Sequence, residues 1–240
     1  MSLLEVKELS RSFGGLHAVS KLSFTVERGG IVGLIGPNGA GKTTTFSLIS
    51  GFQQPTAGEV LFEGARITGL TPDAICARGL TRTFQIMQSF PKLTVLQNVM
   101  VGAYVRFASV KDARAHALQV LTRLGMAERA GETARNLTVA DLKRLEIAKA
   151  LATEPKLLLL DEVISGLNPT EVDELVGLIR RIRDDGVTIV MIEHVMQAVM
   201  ALSDTIVVLH HGEKIFEGLP DDIASDSRVV EAYLGAPADA

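Results

Sequence analysis

Residues 36–44 read GPNGAGKTT, after the apolar run IVGLIG and ahead of TTTFSLIS, which suits a helix. Three glycines in six residues give the backbone conformations that other residues rarely reach. Gly36, Gly41, Lys42 and Thr43 stand at the spacing G-x-x-x-x-G-K-[ST]. A loop of this kind between a buried strand and a helix turns its N–H groups inward and faces the positive end of the helix dipole, an arrangement built for phosphate oxygens. Lys42 brings a compact cation to the terminal phosphates, and the Thr43 hydroxyl can ligate Mg²⁺. The spacing arises by chance in about one chain in a hundred of this length, at ordinary glycine usage. A strand–loop–helix unit of this type commits the chain to an α/β fold around a largely parallel sheet.

A magnesium-bound polyphosphate also needs a carboxylate from a neighbouring strand. Residues 157–163, LLLLDEV, supply the candidate. Four leucines fit a central strand covered on both faces, and the acids at its end are ordinarily just solvated. With a phosphate loop elsewhere in the chain they gain a use, because open α/β sheets bind ligands at the carboxyl ends of their strands. Asp161 is the expected metal ligand, through water. Glu162 projects differently, one residue on, and is the expected group acting on an attacking water.

The rest of the chain sorts into α/β and helical portions. LLEVKEL and LSFTVERG read as strands, the second closing at Gly29-Gly30, and Gly58 to Ile67 reads as one more strand. LTRTFQ, 80–85, is a short strand. From about 86 to 153 apolar residues recur at helical spacing, as in LTVLQNVMVGAYVRF and KDARAHALQVLTRLGM. In ADLKRLEIAKALA, Leu142, Leu145, Ala148 and Leu151 stand three apart, with Lys143, Arg144, Glu146 and Lys149 on the other face. After Pro155 the pattern returns to strand LLLL, helix TEVDELVGLIRRIRDD, strand VTIVMI, a helix from about Val195, a hairpin turning at His211-Gly212 and a last helical piece, SRVVEAYLG. The expected layout is one domain over 1–240. Its nucleotide-binding α/β core comprises 1–85 and 139–240, with a helical subdomain inserted at 86–138.

Composition narrows the partners. With 240 residues and 47% hydrophobic, the chain can bury a large core. Lys plus Arg total 24 against 28 Asp plus Glu, a net charge of -4, which offers no global attraction to nucleic acid or anionic lipid. Cys76 is the only cysteine, so no intrachain disulfide forms and a reducing cytosol fits. Glu5, Lys7 and Glu8 interrupt what would be the apolar part of a signal peptide, and no window approaches 18 uninterrupted apolar residues. The expectation is a protein that reaches a membrane only through partners.

Over nearly its full length the chain resembles the nucleotide-binding subunit of an ABC transporter. GPNGAGKTT and LLLLDE occur in the family's order with further markers. Phe13, in RSFGG, matches the aromatic that stacks on adenine. Gln85, in RTFQ, matches the glutamine between core and helical subdomain. The Gly166–Asn168 stretch of SGLNP matches the loop that crosses to a partner subunit, and His194 matches the histidine that senses the terminal phosphate. RTFQIMQSFPKLTVLQNVMVGAY, KRLEIAKALATEPKLLLLDEVISGLNPTEVDELV and VVEAYLG resemble most the ATPases of branched-chain (hydrophobic) amino acid importers; urea, amide and lipopolysaccharide-export ATPases are similar too.

The resemblance implies a P-loop ABC-type ATPase core with a small antiparallel β subdomain and an inserted α-helical subdomain. It implies an ATPase using ATP and Mg²⁺, with Gly36, Pro37, Asn38, Gly39, Ala40, Gly41, Lys42, Thr43, Thr44 and Phe13 on the nucleotide. Thr43, Gln85 and Asp161 would hold the metal, while Glu162, His194, Gln85 and Lys42 serve hydrolysis. It implies a second ABC ATPase subunit, identical or homologous, transmembrane permease subunits, indirectly a periplasmic or extracellular solute-binding protein, and a place on the cytoplasmic face of the membrane, with no nucleic acid.

One segment departs from the family. Its signature usually reads L-S-x-G-Q; here Leu137, Thr138, Val139, Ala140 and Asp141 align with it. These residues are expected to face the nucleotide bound to the partner. T-V-A-D reads as a capping box, Thr138 the N-cap and Asp141 three residues on. Asp141 adds a charge: two unit charges about 8 Å apart, at an effective dielectric of about 20, repel by about 2 kcal/mol. Lys143 and Arg144 are expected to offset it. An altered signature beside an intact phosphate loop suggests pairing with a different ATPase and two unequal ATP sites.

Rival classes fit less well. A DNA-repair or chromosome-structuring ATPase would carry a much longer insertion than 86–138. A GTPase would need an N-K-x-D, which does not occur. A small-molecule kinase does not account for Gln85, LTVAD and His194 together. A nucleotide-gated module without hydrolysis is the remaining alternative, beside an ATPase of another ABC system.

Overall fold

The computed structural model describes residues 2–85 and 88–234. Ile86 and Met87, where the helical block is expected to begin, lie outside the described residues, as do Met1 and 235–240 of the polar tail.

In chain order, β1 (Ser2–Phe13), β2 (Leu16–Glu27) and β3 (Ile31–Ile35) lead into α1 (Lys42–Ile49). Then come β4 (Ala57–Phe62), β5 (Ala65–Arg66), α2 (Pro72–Arg78) and β6 (Leu80–Arg82). Three helices follow, α3 (Val95–Ala103), α4 (Val110–Arg123) and α5 (Val139–Leu151). The chain closes with β7 (Leu157–Asp161), α6 (Pro169–Asp184), β8 (Thr188–Ile192), α7 (Met196–Leu202), β9 (Thr205–His210), β10 (Glu213–Gly218) and α8 (Ser227–Leu234).

Two sheets result. One is antiparallel in the order β2-β1-β4-β5; the other runs β10-β9-β3-β8-β7-β6, parallel except where β10 folds back on β9. The four leucines of β7 explain how the two are joined. Side chains alternate faces along a strand. Leu157 and Leu159 enter a core shared with the antiparallel sheet and Phe46, Leu48 and Ile49 of α1. Leu158 and Leu160 enter a second core, shared with helices α3 to α7. The strand is apolar throughout because each of its faces has its own core.

Several local expectations are corrected. Gly58 to Ile67 is not one strand but a hairpin, β4 and β5, turning at Glu63 and Gly64, both with positive φ. The strand expected at 80–85 stops at Arg82. On helix α5, Lys143, Arg144 and Lys149 stay partly exposed, but Glu146 of the expected polar face does not. Leu145, Glu146, Ile147, Ala148, Ala150 and Leu151 are all buried, and Glu146 is paired with Lys149 at 3.0 Å. The three-residue spacing holds, but α3 packs against this helix and Glu146 is buried, so the charge there is a paired charge, not a solvated one. The close approach of α3 needs Gly102: a Cβ there would lie 2.2 Å from the Lys149 carbonyl oxygen.

Helix α3 starts at a capping box in which the Thr94 hydroxyl accepts from Gln97 N–H and the Gln97 amide oxygen accepts from Thr94 N–H. Asn98, fully buried, exchanges hydrogen bonds with both the N–H and the carbonyl of Phe90, pinning the segment that leads into the helix. Asn168 caps α6 in the same reciprocal way with Glu171. No helix among the described residues is long and apolar enough to cross a membrane.

Candidate functional site

The loop after β3 wraps onto the start of α1. Gly41, at φ 101, is the residue before the helix, and the first intrahelical bond runs from Thr45 N–H to the Gly41 carbonyl. The N–H groups of Lys42, Thr43 and Thr44 are therefore the ones a helix start leaves for an external acceptor. Gly36 and Gly41 are glycine for a further reason. A Cβ on Gly36 would sit 2.1 Å from the Leu209 carbonyl oxygen of β9, and one on Gly41 would sit 2.3 Å from that of Ala18 in β2. Both sheets press the loop from behind.

Lys42 is buried. Its Nζ donates to the carbonyls of Gly36 (2.6 Å) and Pro37 (2.9 Å), bending back over its own loop. Burial lowers its pKa, opposed by the fields of Glu162 and Asp161.

A cleft of about 500 Å³ opens above the loop. Asn38, Gly39, Ala40, Gly41, Lys42, Thr43 and Thr44 form its floor, and Gln85, Glu162 and His194 one wall. Phe13 stands exposed at the other side, with Leu16, His17 and Ala18 of β2 and His211 of the β9–β10 turn. The Arg11 guanidinium lies 4.6 Å from the centre of the Phe13 ring. Gly36 and Pro37 do not line the cleft; they form the rear of the loop. The sequence reading had His211 only as a turn residue; it is that, at φ 48, and a cleft residue too.

Glu162 is the hub of the wall. Its Oε2 accepts from Gln85 Nε2 at 2.8 Å, and its Oε1 lies 2.7 Å from His194 Nε2. Its backbone is left-handed, φ 52, a conformation a non-glycine residue seldom adopts without support. The support is visible: Glu162 N–H donates to the Ile192 carbonyl at 2.9 Å, and its own carbonyl accepts from Lys143 Nζ at 3.0 Å. This break in strand geometry is what aims Glu162 away from Asp161.

Asp161 sits just behind the cleft, 1% exposed. Arg82, whose side chain is also buried, donates to its Oδ2 at 2.7 Å and to Ser47 Oγ of α1 at 3.0 Å. Asp161 Oδ1 has no hydrogen-bond partner among the described residues. Burial raises the Asp161 pKa, with Arg82 opposing. A buried carboxylate with one oxygen satisfied and the other open has the donor chemistry that a hard cation such as Mg²⁺ takes.

Beneath Glu162 lies a group that the sequence reading missed. Glu193, 1% exposed, accepts from Ile164 N–H at 2.7 Å through Oε1, while Oε2 lacks a partner among the described residues. Burial pushes its pKa up to about 7, against the pull of Lys143. The signal was there: an acid directly after the apolar VTIVMI raises the same question as Asp161 after LLLL. Lys143 in turn is held below the usual lysine range by burial, with Glu193 and Glu162 opposing.

The signature-like segment opens α5, away from the cleft. Thr138 is the N-cap and its hydroxyl accepts from Asp141 N–H at 3.2 Å. The reciprocal half of the expected capping box is absent. The Asp141 carboxylate accepts from the Thr138 hydroxyl at 2.5 Å and pairs with Arg129. The hydrogen bonds from Thr138 and Arg129 outweigh burial and hold that carboxyl below its ordinary range. The counter-charge expected from Lys143 and Arg144 thus comes chiefly from Arg129. Lys143 is turned to Glu162, and Arg144 pairs with Glu174. Asp141 is too short to reach back to the Thr138 N–H as a Gln would, so its charge seeks the nearest guanidinium.

Comparison with known proteins identifies the family. The family described as "ABC transporter" matches residues 19–165, and "Branched-chain amino acid ATP-binding cassette transporter" matches 213–239. The chain is 38% identical to the high-affinity branched-chain amino acid transport ATP-binding protein BraF of Pseudomonas aeruginosa, over 97% of this chain and 98% of that one. It is 39% identical to LivG of Escherichia coli, named for the same transport role, with the same coverage. Among solved structures, the ADP conformation of MJ1267, an ATP-binding cassette of an ABC transporter, superposes with a TM-score of 0.90 at 30% identity, covering 98% of this chain and all of that one.

Proposed function

This chain belongs to the ABC transporter family as an ATP-binding subunit, an ATPase, and we propose that it energises import of branched-chain amino acids by hydrolysing ATP in the cleft above Lys42. The solute class rests on the relatives' names and on the match over 213–239.

The observation that carries the chemistry is Glu162, suspended between Gln85 and His194 over the phosphate loop. The triphosphate lies along the N–H groups opening α1, Lys42 swings from its own loop carbonyls to the terminal phosphates, and Phe13 offers a face to the base. Thr43, Asp161 and Gln85 are the residues that would hold Mg²⁺, whose chemistry is to neutralise charge building on the phosphates. The open Oδ1 of Asp161 supports that fit. Glu162 orients and deprotonates the water, and His194 holds Glu162 at one end and the terminal phosphate at the other.

Thr138 to Asp141 face outward at the start of α5 and serve the nucleotide of a second ATPase subunit, identical or homologous. Residues 86–138 act as a helical lobe against a core of 1–85 and 139–240. The exposed Phe52 and Val105 line a shallow depression with Phe84, the residue before Gln85, and serve as an apolar face for a transmembrane permease. The protein then works at the cytoplasmic face of the membrane, and an external solute-binding protein delivers the solute.

Glu162→Gln tests the reading. It keeps the size and the contact to Gln85 but removes the base. The expected result is at least a hundredfold loss of ATP turnover in the assembled complex, roughly the contribution of one general base, with ATP still bound. Undiminished turnover would remove Glu162 from the chemistry.

A further inference from the structure

Helix α5 touches both ends of the reaction. Thr138 is its N-cap, its first turn carries Asp141, and Lys143 follows in the next turn. Lys143 Nζ donates to the carbonyl of Glu162, in the same chain. Lys143 does not line the cleft, so it does not touch substrate. It acts on Glu162 through the backbone, where leverage is greatest. Glu162 is left-handed, and the direction of its carbonyl is tied to the rotation that aims its carboxylate at Gln85 and His194. A cation on that carbonyl holds the rotation. The Glu193 carboxylate, fixed by Ile164 N–H, adds a favourable field at the lysine head.

We propose that Lys143 is a positioning residue that couples the two ATP sites: it fixes Glu162 in register with helix α5, so that seating the start of α5 on the partner's nucleotide sets the aim of this chain's own water-activating carboxylate. The inference rests on the reading of Glu162 given above. A helix transmits displacement along its axis because its hydrogen-bond ladder makes it stiff, and only four residues lie between Thr138 and Lys143. No intermediary segment is needed.

The test is steady-state ATP hydrolysis by the assembled transporter, with Lys143→Met, Lys143→Arg and Glu162→Gln measured side by side and ATP binding followed separately. Losing a charged hydrogen bond to one carbonyl predicts a fall in kcat of about tenfold or more in Lys143→Met. KM should stay within about twofold, because the lysine does not touch ATP. Cooperativity in ATP should weaken, and Lys143→Arg should restore most of kcat. A residue that only stabilised the fold would lower the amount of active complex and leave cooperativity as it was. If Lys143→Met fails to assemble, Lys143→Gln, a shorter neutral donor, takes its place with the same expectation. Wild-type kcat and cooperativity in the neutral variant, beside an inactive Glu162→Gln, overturn the inference and leave the proposed function intact. An active Glu162→Gln overturns both.

Discussion

Glu193 shows how much one side chain can reveal about pH. Its carboxyl has an ordinary value of 4.5 and is pushed up to about 7 by burial. Below 4.5 folded and unfolded chains both hold the proton, and the residue contributes no pH dependence. Between 4.5 and about 7 the unfolded chain has released the proton while the folded one keeps it. Stability therefore falls as pH rises through that window and levels off above it. Replacing the carboxyl by an amide keeps the acceptor for Ile164 N–H and removes the titration. Denaturant midpoints from about pH 5 to 8 should slope less in Glu193→Gln than in the wild-type chain. Equal slopes would mean that the carboxyl is ionised throughout. The site's own titratable pairings add their own pH terms, so the difference between the two chains is the quantity to read.

At the scale of elements, the contact between α3 and α5 has one permissive point, Gly102, over the Lys149 carbonyl. A methyl there cannot be accommodated by a side-chain rotation, because the obstruction is backbone. Gly102→Ala should cost about 1–3 kcal/mol, the usual range for overpacking, read from the urea midpoint; a change below about 0.5 kcal/mol would show that the helices separate freely. Most elements were legible in the sequence. The leucine strand, the helix after the phosphate loop and the turn at His211 all follow from local pattern. What failed were features set by neighbours remote in the chain. Glu146 stands on the polar face of α5 by spacing, and nothing in ADLKRLEIAKALA announces that it will be buried. Glu63-Gly64 was absorbed into a longer strand because the alternation around it is unbroken, although the glycine was the available turn signal.

The whole molecule is two cores back to back on one parallel sheet, with the phosphate loop braced by β2 on one side and β9 on the other. A ligand held by that loop joins parts of the fold that the chain connects only through long excursions. ATP with Mg²⁺ at about a hundred times its dissociation constant should add about 2.7 kcal/mol. That corresponds to a rise in melting temperature of about 5–10 °C for a chain of this size. A thermal-shift measurement checks it; Lys42→Ala should abolish the rise, and a rise that survived would mean the nucleotide binds elsewhere. At this scale the sequence was informative about the loop and the acids because those motifs are contiguous. The contacts of Arg82 and Lys143 were invisible because they meet Asp161 and Glu162 only in the folded chain, and an isolated Arg or Lys in a helix or strand does not announce its partner.

Lys42, bent over Gly36 and Pro37, makes the loop a threshold as well as a receptacle. An arriving anion must replace two good acceptors before the ammonium group will turn to it. A polyphosphate brings enough charge and enough oxygens to do so; a monophosphate or inorganic anion offers little beyond what the lysine already has. On the proposed reading of the site, selectivity for highly charged nucleotides begins in the resting loop, ahead of any contact with base or sugar.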